Sequence, residues 1–212
     1  MKTDSMASKA FIEIRRKILI NQLLPNTRLK EEQWAEKLKV SRMAVREALT
    51  RLLGEGLVIL GPKGGYYIRP MNAEDVHQIR ELREILELGA VRLAHKRFSK
   101  EYSEKLEQIC DSFTDMVKQG FYNGACEADM KFHETLIESS GNQKLLDAYH
   151  ASHIPLFHQK LGRTREYMND YELTDIEHRA ILKALKSKNL SLAEKTLIKH
   201  FLRGENAILD LD

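Results

Sequence analysis

The stretch Val40-Ser41-Arg42-Met43-Ala44-Val45-Arg46-Glu47-Ala48-Leu49-Thr50-Arg51-Leu52-Leu53-Gly54-Glu55-Gly56 constrains the fold more than any other part of the chain. Ser41 suits an N-cap, because a serine hydroxyl accepts one of the orphan N–H groups of a first helical turn. Val45, Ala48, Leu49 and Leu52 follow at i, i+3, i+4 and i+7, which turns one face toward a core. Arg42, Met43, Arg46 and Thr50 fall on the opposite side, and Gly54 and Gly56 end the helix. Two arginines one turn apart on a solvent face can fork onto guanine edges or phosphates. An ordinary amphipathic surface helix has the same pattern, so the flanking chain must decide.

Upstream, residues 8–20 read as a helix with Phe11, Ile14, Ile18 and Leu19 spaced for one buried face. Residues 21–29 contain Leu24-Pro25-Asn26, a turn signal that stops this helix. A second helix spans 31–38, with Trp34, Ala35 and Leu38 inward, and Lys39-Val40-Ser41 turns into the opening helix. Two helices joined so tightly make a helix-turn-helix, whose second member enters the major groove. Downstream, Leu57-Val58-Ile59-Leu60 and Tyr66-Tyr67-Ile68 read as paired strands around Gly61-Pro62-Lys63-Gly64-Gly65. A plain β-turn is the simplest account of that tip. Directly after a helix-turn-helix it reads as a wing, in which Gly64 and Gly65 let backbone approach phosphate or minor groove and Lys63 adds charge. Charge supports this. Residues 1–70 hold 14 Lys+Arg against 7 Asp+Glu, net +7, and residues 71–212 hold 20 against 24, net −4, which together give the chain's +3. A basic first third suits a polyanion.

Arg69-Pro70-Met71-Asn72 closes the module, since Pro70 cannot continue a ladder and Asn72 can cap a helix. The expected domains are therefore 1–70, a winged helix-turn-helix, and 71–212, an all-helical antiparallel bundle, making a mainly α chain. Helices are expected at 73–98, 100–119, 123–140, 144–161, 175–187 and 191–210, with a kink at Pro155 and a polar loop over 163–174.

Four polar groups lie on apolar stripes of that bundle. Asp129 and His133, four residues apart beside Phe132, Leu136 and Ile137, point the same way. His178 precedes Ile181, Leu182 and Leu185, and His200 sits among Ala193, Leu197, Gly204 and Ile208. One inward histidine is usually a hydrogen-bonded core residue. An aspartate and three histidines from three helices instead suit a divalent metal such as zinc, nickel, iron or manganese. His153 and His158 are the nearest substitutes. Arg83, between Ile79 and Leu86, can fork onto an effector carboxylate or pair with Glu87 four residues on.

Two resemblances organise these readings. Leu29, Ala35-Glu36, the run from Val40 to Leu49, Leu52 and Gly56-Leu57-Val58 resemble the winged helix-turn-helix of GntR-type bacterial transcription regulators. The departures are Met43-Ala44 for a usual Thr-Pro, Asn26 for a common glycine, Trp34 for leucine, and Glu32 where some members offer DNA an arginine. Residues Leu82-Arg83-Glu84-Ile85-Leu86-Glu87, Asp129 to His133, Ser140-Gly141-Asn142, Glu177-His178-Arg179-Ala180-Ile181 and His200 resemble the FCD effector domain of the FadR branch. Six helices are more similar to the shorter VanR type than to the acyl-CoA-responsive type. The resemblance implies a metal on Asp129, His133, His178 and His200 and a small organic acid beside it, and it supports an effector role for Arg83.

The function expected is a sequence-specific regulator bound to double-stranded DNA at a pseudo-palindromic operator. It would act as a homodimer, with Ser41, Arg42, Met43, Arg46, Thr50, Lys63, Gly64 and Gly65 toward DNA. Repression relieved by effector is the commoner logic. A metal-dependent enzyme of helical-bundle type explains the Asp/His set but not the basic module, and offers only Glu134 and Glu177 as bases. A third reading keeps DNA binding with a structural or sensed metal. No apolar run approaches a membrane span and Met1-Lys2-Thr3-Asp4-Ser5 lacks a signal-peptide core, so the cytoplasm is expected. Cys110 and Cys126 read as core thiols.

Overall fold

A computed structural model describes residues 5–20, 22–62, 64–152, 154 and 168–209. The chain divides into two compact units, Met1–Asn72 and Ala73–Asp212.

The first unit opens with α1 (Met6–Leu19), capped by Ser5, whose hydroxyl accepts the Ser8 amide at 3.1 Å. A turn at Asn26 (φ 62°) leads to β1 (Arg28–Leu29) and then α2 (Glu31–Leu38). Lys39, left-handed at φ 54°, ends α2 and aims the chain into α3 (Arg42–Gly54). β2 (Val58–Leu60) and β3 (Tyr66–Ile68) complete an antiparallel sheet in the order β1-β3-β2, with Arg28 opposite Tyr67 and Ile59 opposite Tyr67. One core gathers Phe11, Ile14 and Ile18 of α1, Trp34 of α2, Val45, Ala48, Leu49 and Leu52 of α3, and Leu29, Val58 and Ile68 of the sheet. The inward stripe of α3 is thus the one that its spacing predicts. β1 lies within 21–29, where the sequence shows only a turn signal. A two-residue strand has no periodicity to detect, and only its pairing with β3 defines it.

The second unit holds α4 (Ala73–Arg97), α5 (Lys100–Lys118), α6 (Tyr122–Glu138), α7 (Gln143–Ala151), α8 (Met168–Lys186) and α9 (Leu190–Leu209). Ser99 and Asn142 cap α5 and α7 through their side chains. α5 packs on α6 and α8, and α9 packs on α4 and α8. Leu106, Phe132, Leu136, Ile181, Leu185, Leu197 and Phe201 fill the principal core, with Cys110 among them. Both cysteines are free and buried.

Two helix limits differ from the sequence reading. α7 ends at Ala151, short of the expected 161, and Pro155 with its expected kink lies outside the described residues. α8 begins at Met168, so residues 168–174 are helical rather than part of a 163–174 loop. The cause is tertiary. Tyr171 and Thr174 are buried on one face, and Arg203 of α9 binds Asp170 and Thr174, tying down turns that are polar in composition. Residues 163–167 lie outside the described residues, as do His153 and His158. Among the described residues no helix is long and apolar enough to cross a membrane.

Candidate functional site

The first unit presents α3 as a capped rod with a polar outer face. Ser41 caps it by accepting the Ala44 amide at 3.1 Å. Arg42, Met43, Arg46 and Thr50 are exposed together, Met43 at 68%. Ser41, Met43, Arg46, Thr50 and Arg51 line a groove of about 630 Å³. Thr50 donates to the Arg46 carbonyl at 2.9 Å and pairs with the Tyr66 hydroxyl at 3.0 Å, which ties the outer face of α3 to β3. Beyond β2, Gly64 and Gly65 take φ of +75° and +87°, a conformation that side-chain-bearing residues avoid. Their turn is closed by Gly64 N–H to Gly61 and Gly61 N–H to Gly65, at 2.9 and 3.0 Å. Lys63 lies outside the described residues.

Sequence reading missed that Arg42 and Arg46 of α3 are paired with α2. Arg46 forks onto Glu31, Nε to Oε1 at 2.9 Å and Nη2 to Oε2 at 2.8 Å, and its hydrogen bonds hold the Glu31 carboxyl below the usual range. Arg42 meets Glu32 through one contact of 2.7 Å. The signal available was two adjacent glutamates opening the helix before α3, where they read as helix-dipole partners.

The second unit brings Asp129, His133, His178 and His200 together from α6, α8 and α9. One ligand atom from each lies within 4.8 Å of the others, and all four residues are buried. His133 Nε2 is 3.2 Å from His200 Nε2, and Asp129 Oδ1 is 3.3 Å from His178 Nε2 and 3.8 Å from His133 Nε2. The rings are held by packing. His178 lies flat on Phe132 at 3.9 Å and 5°, with Phe113 edge-on at 6.0 Å.

Carboxylates stand behind two of the rings. His133 Nδ1 is 2.5 Å from Glu87 Oε2, and His200 Nδ1 is 2.9 Å from Glu177 Oε2. An ionised carboxylate only accepts, so each Nδ1 carries the proton and each Nε2 turns a lone pair inward. Two facing lone pairs cannot bond each other, whereas a cation between them satisfies both. Ligand atoms about 2.0–2.2 Å from one ion stand roughly 3–4 Å apart, as three of the pairs here do, at 3.2, 3.3 and 3.8 Å. The residues therefore fit a divalent metal. Burial pushes His133 below its ordinary value, which favours the neutral ligand form. Burial alone would raise the Glu87 carboxyl, but the His133 and Arg83 donors hold it low.

Arg83 is buried beside this centre, its Nε donating to Glu87 Oε1 at 2.9 Å and its Cζ 4.5 Å from the Phe201 ring. Glu87 thus joins Arg83 to His133, a role hidden in sequence because an i,i+4 Arg/Glu pair is the ordinary pattern of a solvated face. Glu134 and Glu177, equivalent in sequence, are separated by the fold. Glu177 is buried on His200, while Glu134 pairs with Lys131 and His150.

Residues 6–68 match the family model of bacterial regulatory proteins, gntR family, and residues 78–203 match that of the FCD domain. An uncharacterized HTH-type transcriptional regulator of Bacillus subtilis (strain 168), YdhC, is 28% identical over 89% of this chain and 84% of its own length. The HTH-type transcriptional repressor RspR of Escherichia coli (strain K12) is 24% identical over 93% of this chain and 86% of its own. Among solved structures, E. coli McbR/YncC superposes with a TM-score of 0.85 at 19% identity, covering 98% of both chains, a likeness of fold.

Proposed function

The chain belongs to the GntR family of bacterial regulatory proteins and carries an FCD domain, and on that premise we propose that its DNA binding is modulated by a small carboxylate held at a metal centre in the helical unit. Membership in a family of transcription regulators sets the metalloenzyme reading aside. The first unit is the DNA-binding part.

The observation that carries the proposal is the buried quartet Asp129, His133, His178 and His200, with Glu87 and Glu177 fixing two ring tautomers. A divalent ion there would supply a Lewis-acidic anchor for an organic acid. Arg83, set beside the quartet through Glu87, contributes positive charge toward the same ligand. Effector binding can shift operator affinity only by its differential affinity for states that do and do not hold DNA. On the DNA side, Ser41, Arg42, Met43, Arg46, Thr50, Lys63, Gly64 and Gly65 form the contact set. Two copies would span a pseudo-palindromic operator with half-sites about one helical turn apart. Repression relieved by the acid is the logic proposed, in keeping with the relative named a repressor.

The test is a gel shift of the purified full chain on DNA from beside its own gene. It is run with and without divalent metal, and with lactate, malate and citrate as probes. Specific binding that a carboxylate weakens only in the metal-loaded protein is the expected result. Specific binding indifferent to both metal and acids would leave the family assignment standing and overturn the effector proposal.

A further inference from the structure

The two arginine–glutamate pairs between α2 and α3 differ in kind. Arg42 and Glu32 share one contact, and both side chains are well exposed, 59% and 73%. Arg46 and Glu31 share two parallel hydrogen bonds, and the Glu31 side chain is only 18% exposed. A bidentate fork fixes the plane of a guanidinium as well as its place. The base beneath it is rigid, since Glu31 opens α2, whose Trp34 and Ala35 pack with Val45 and Leu49 of α3.

The atoms used determine what remains. Glu31 takes Nε–H and one N–H of Nη2 from Arg46. Of the five guanidinium donors, two on Nη1 and one on Nη2 are left; one N–H from each of these nitrogens forms the outer edge, and the second Nη1 N–H points back beside Cδ. That edge is the fork that matches O6 and N7 of guanine in the major groove. The Arg46 side chain is 52% exposed, so the edge is open to a ligand. A phosphate can take a guanidinium fork from many directions, so it gains little from one fixed plane. A base contact depends on it.

We propose that Glu31 is a positioning residue that makes Arg46 a guanine reader, an inference that rests on the DNA-binding reading of α3 given above. Arg42, singly held, is left to swing from Glu32 to the backbone. Glu31 also puts a negative charge near phosphates, so it lowers affinity for all DNA while sharpening the choice of one base.

The test is selection from a randomised duplex pool by the full chain, comparing wild type with Glu31→Gln, Glu31→Ala and Arg46→Ala. The wild type is expected to enrich paired half-sites with a guanine at a fixed place. Glu31→Ala should lose that guanine preference by about tenfold, the scale of one base contact, and lose it at the same position as Arg46→Ala. Spacing and the other positions should be unchanged. Glu31→Gln, which keeps the size and one acceptor, should fall between. Binding to unselected DNA should hold or rise in both Glu31 variants, which a merely structural defect would not allow. Guanine preference kept in Glu31→Ala, or lost at a different position from Arg46→Ala, overturns the proposal alone. A wild type that enriches nothing overturns the DNA-binding reading and this inference with it.

Discussion

The Nε2 atoms of His133 and His200 face each other at 3.2 Å while a carboxylate grips the far nitrogen of each ring. That arrangement makes four buried polar residues a single unit, and on the proposed reading a divalent cation completes it. A metal site filled at a hundredfold excess over its Kd contributes about 2.7 kcal/mol. For a helical unit of this size that moves Tm by on the order of 10 °C. Chelation should lower the melting temperature by that order, and added divalent metal should restore it. Elemental analysis checks the ligands: His178→Ala and His200→Ala should lose the metal, and full occupancy in both would show the ligand set to be wrong.

Glu87 serves two partners, Arg83 and His133, from a position with no solvent exposure. Its loss to alanine breaks a buried ion pair with Arg83, a change that typically costs about 3–5 kcal/mol. Glu87→Gln keeps the volume and one acceptor and should be milder in stability. It should still weaken metal affinity by about 10–100-fold, because the carboxylate behind a ligating histidine sets its basicity and tautomer. Denaturant melts and metal titrations separate the two effects. Unchanged metal affinity in Glu87→Gln would mean that His133 is not a ligand.

Arg46 and Arg42 should fail differently on DNA. Arg46→Ala is expected to lose about 1–3 kcal/mol on the best site and far less on random DNA. Arg42→Ala should weaken both alike and lower the salt slope by about 1, the signature of one phosphate contact. Binding isotherms at several salt concentrations read both, and equal behaviour of the two variants would contradict the division of labour.

His77 gives a pH dependence with a definite sign. Its Nδ1 lies 2.9 Å from Glu205, with Glu81 at 3.2 Å from Nε2 and Arg80 nearby. The hydrogen bond to Glu205 raises the imidazole above its ordinary 6.5. A raised histidine adds stability that is complete below the unfolded value and lost as pH rises through the folded one. The stability gap between wild type and His77→Gln should therefore be largest below pH 6.5 and close above the elevated value. Ring proton shifts followed through the titration locate it. A His77 that titrates below 6.5 would contradict this.

The features legible in sequence were those carried by local period and caps. Ser41 with Val45, Ala48, Leu49 and Leu52 fixes the sense of α3, and Asp129 with His133 places two candidate ligands on one turn. The features missed all need the fold. β1 is two residues long and exists only by pairing with β3. The first turns of α8 are polar in composition and are held by Arg203 from another helix. Glu87 and Glu31 look like solvated carboxylates until the helix opposite is in place, because what defines each is a partner 46 or 15 residues away.

The pairing of Arg42 and Arg46 with Glu32 and Glu31 also divides the labour of finding a site from that of stopping at it. Beyond about 8 Å, the screening distance at physiological salt, two opposed charges in contact are nearly silent. Setting those four residues aside leaves 12 Lys+Arg and 5 Asp+Glu in residues 1–70, so the unit's +7 is carried entirely by others. Capture from solution belongs to that diffuse charge and should slow steeply with salt. The face of α3 adds little to the approach. Its arginines become cations to the partner only at contact, when a nucleic-acid acceptor stands close enough to compete with a glutamate. On the proposed reading of α3, arrival rate and residence time are therefore set by separate residues of one small module.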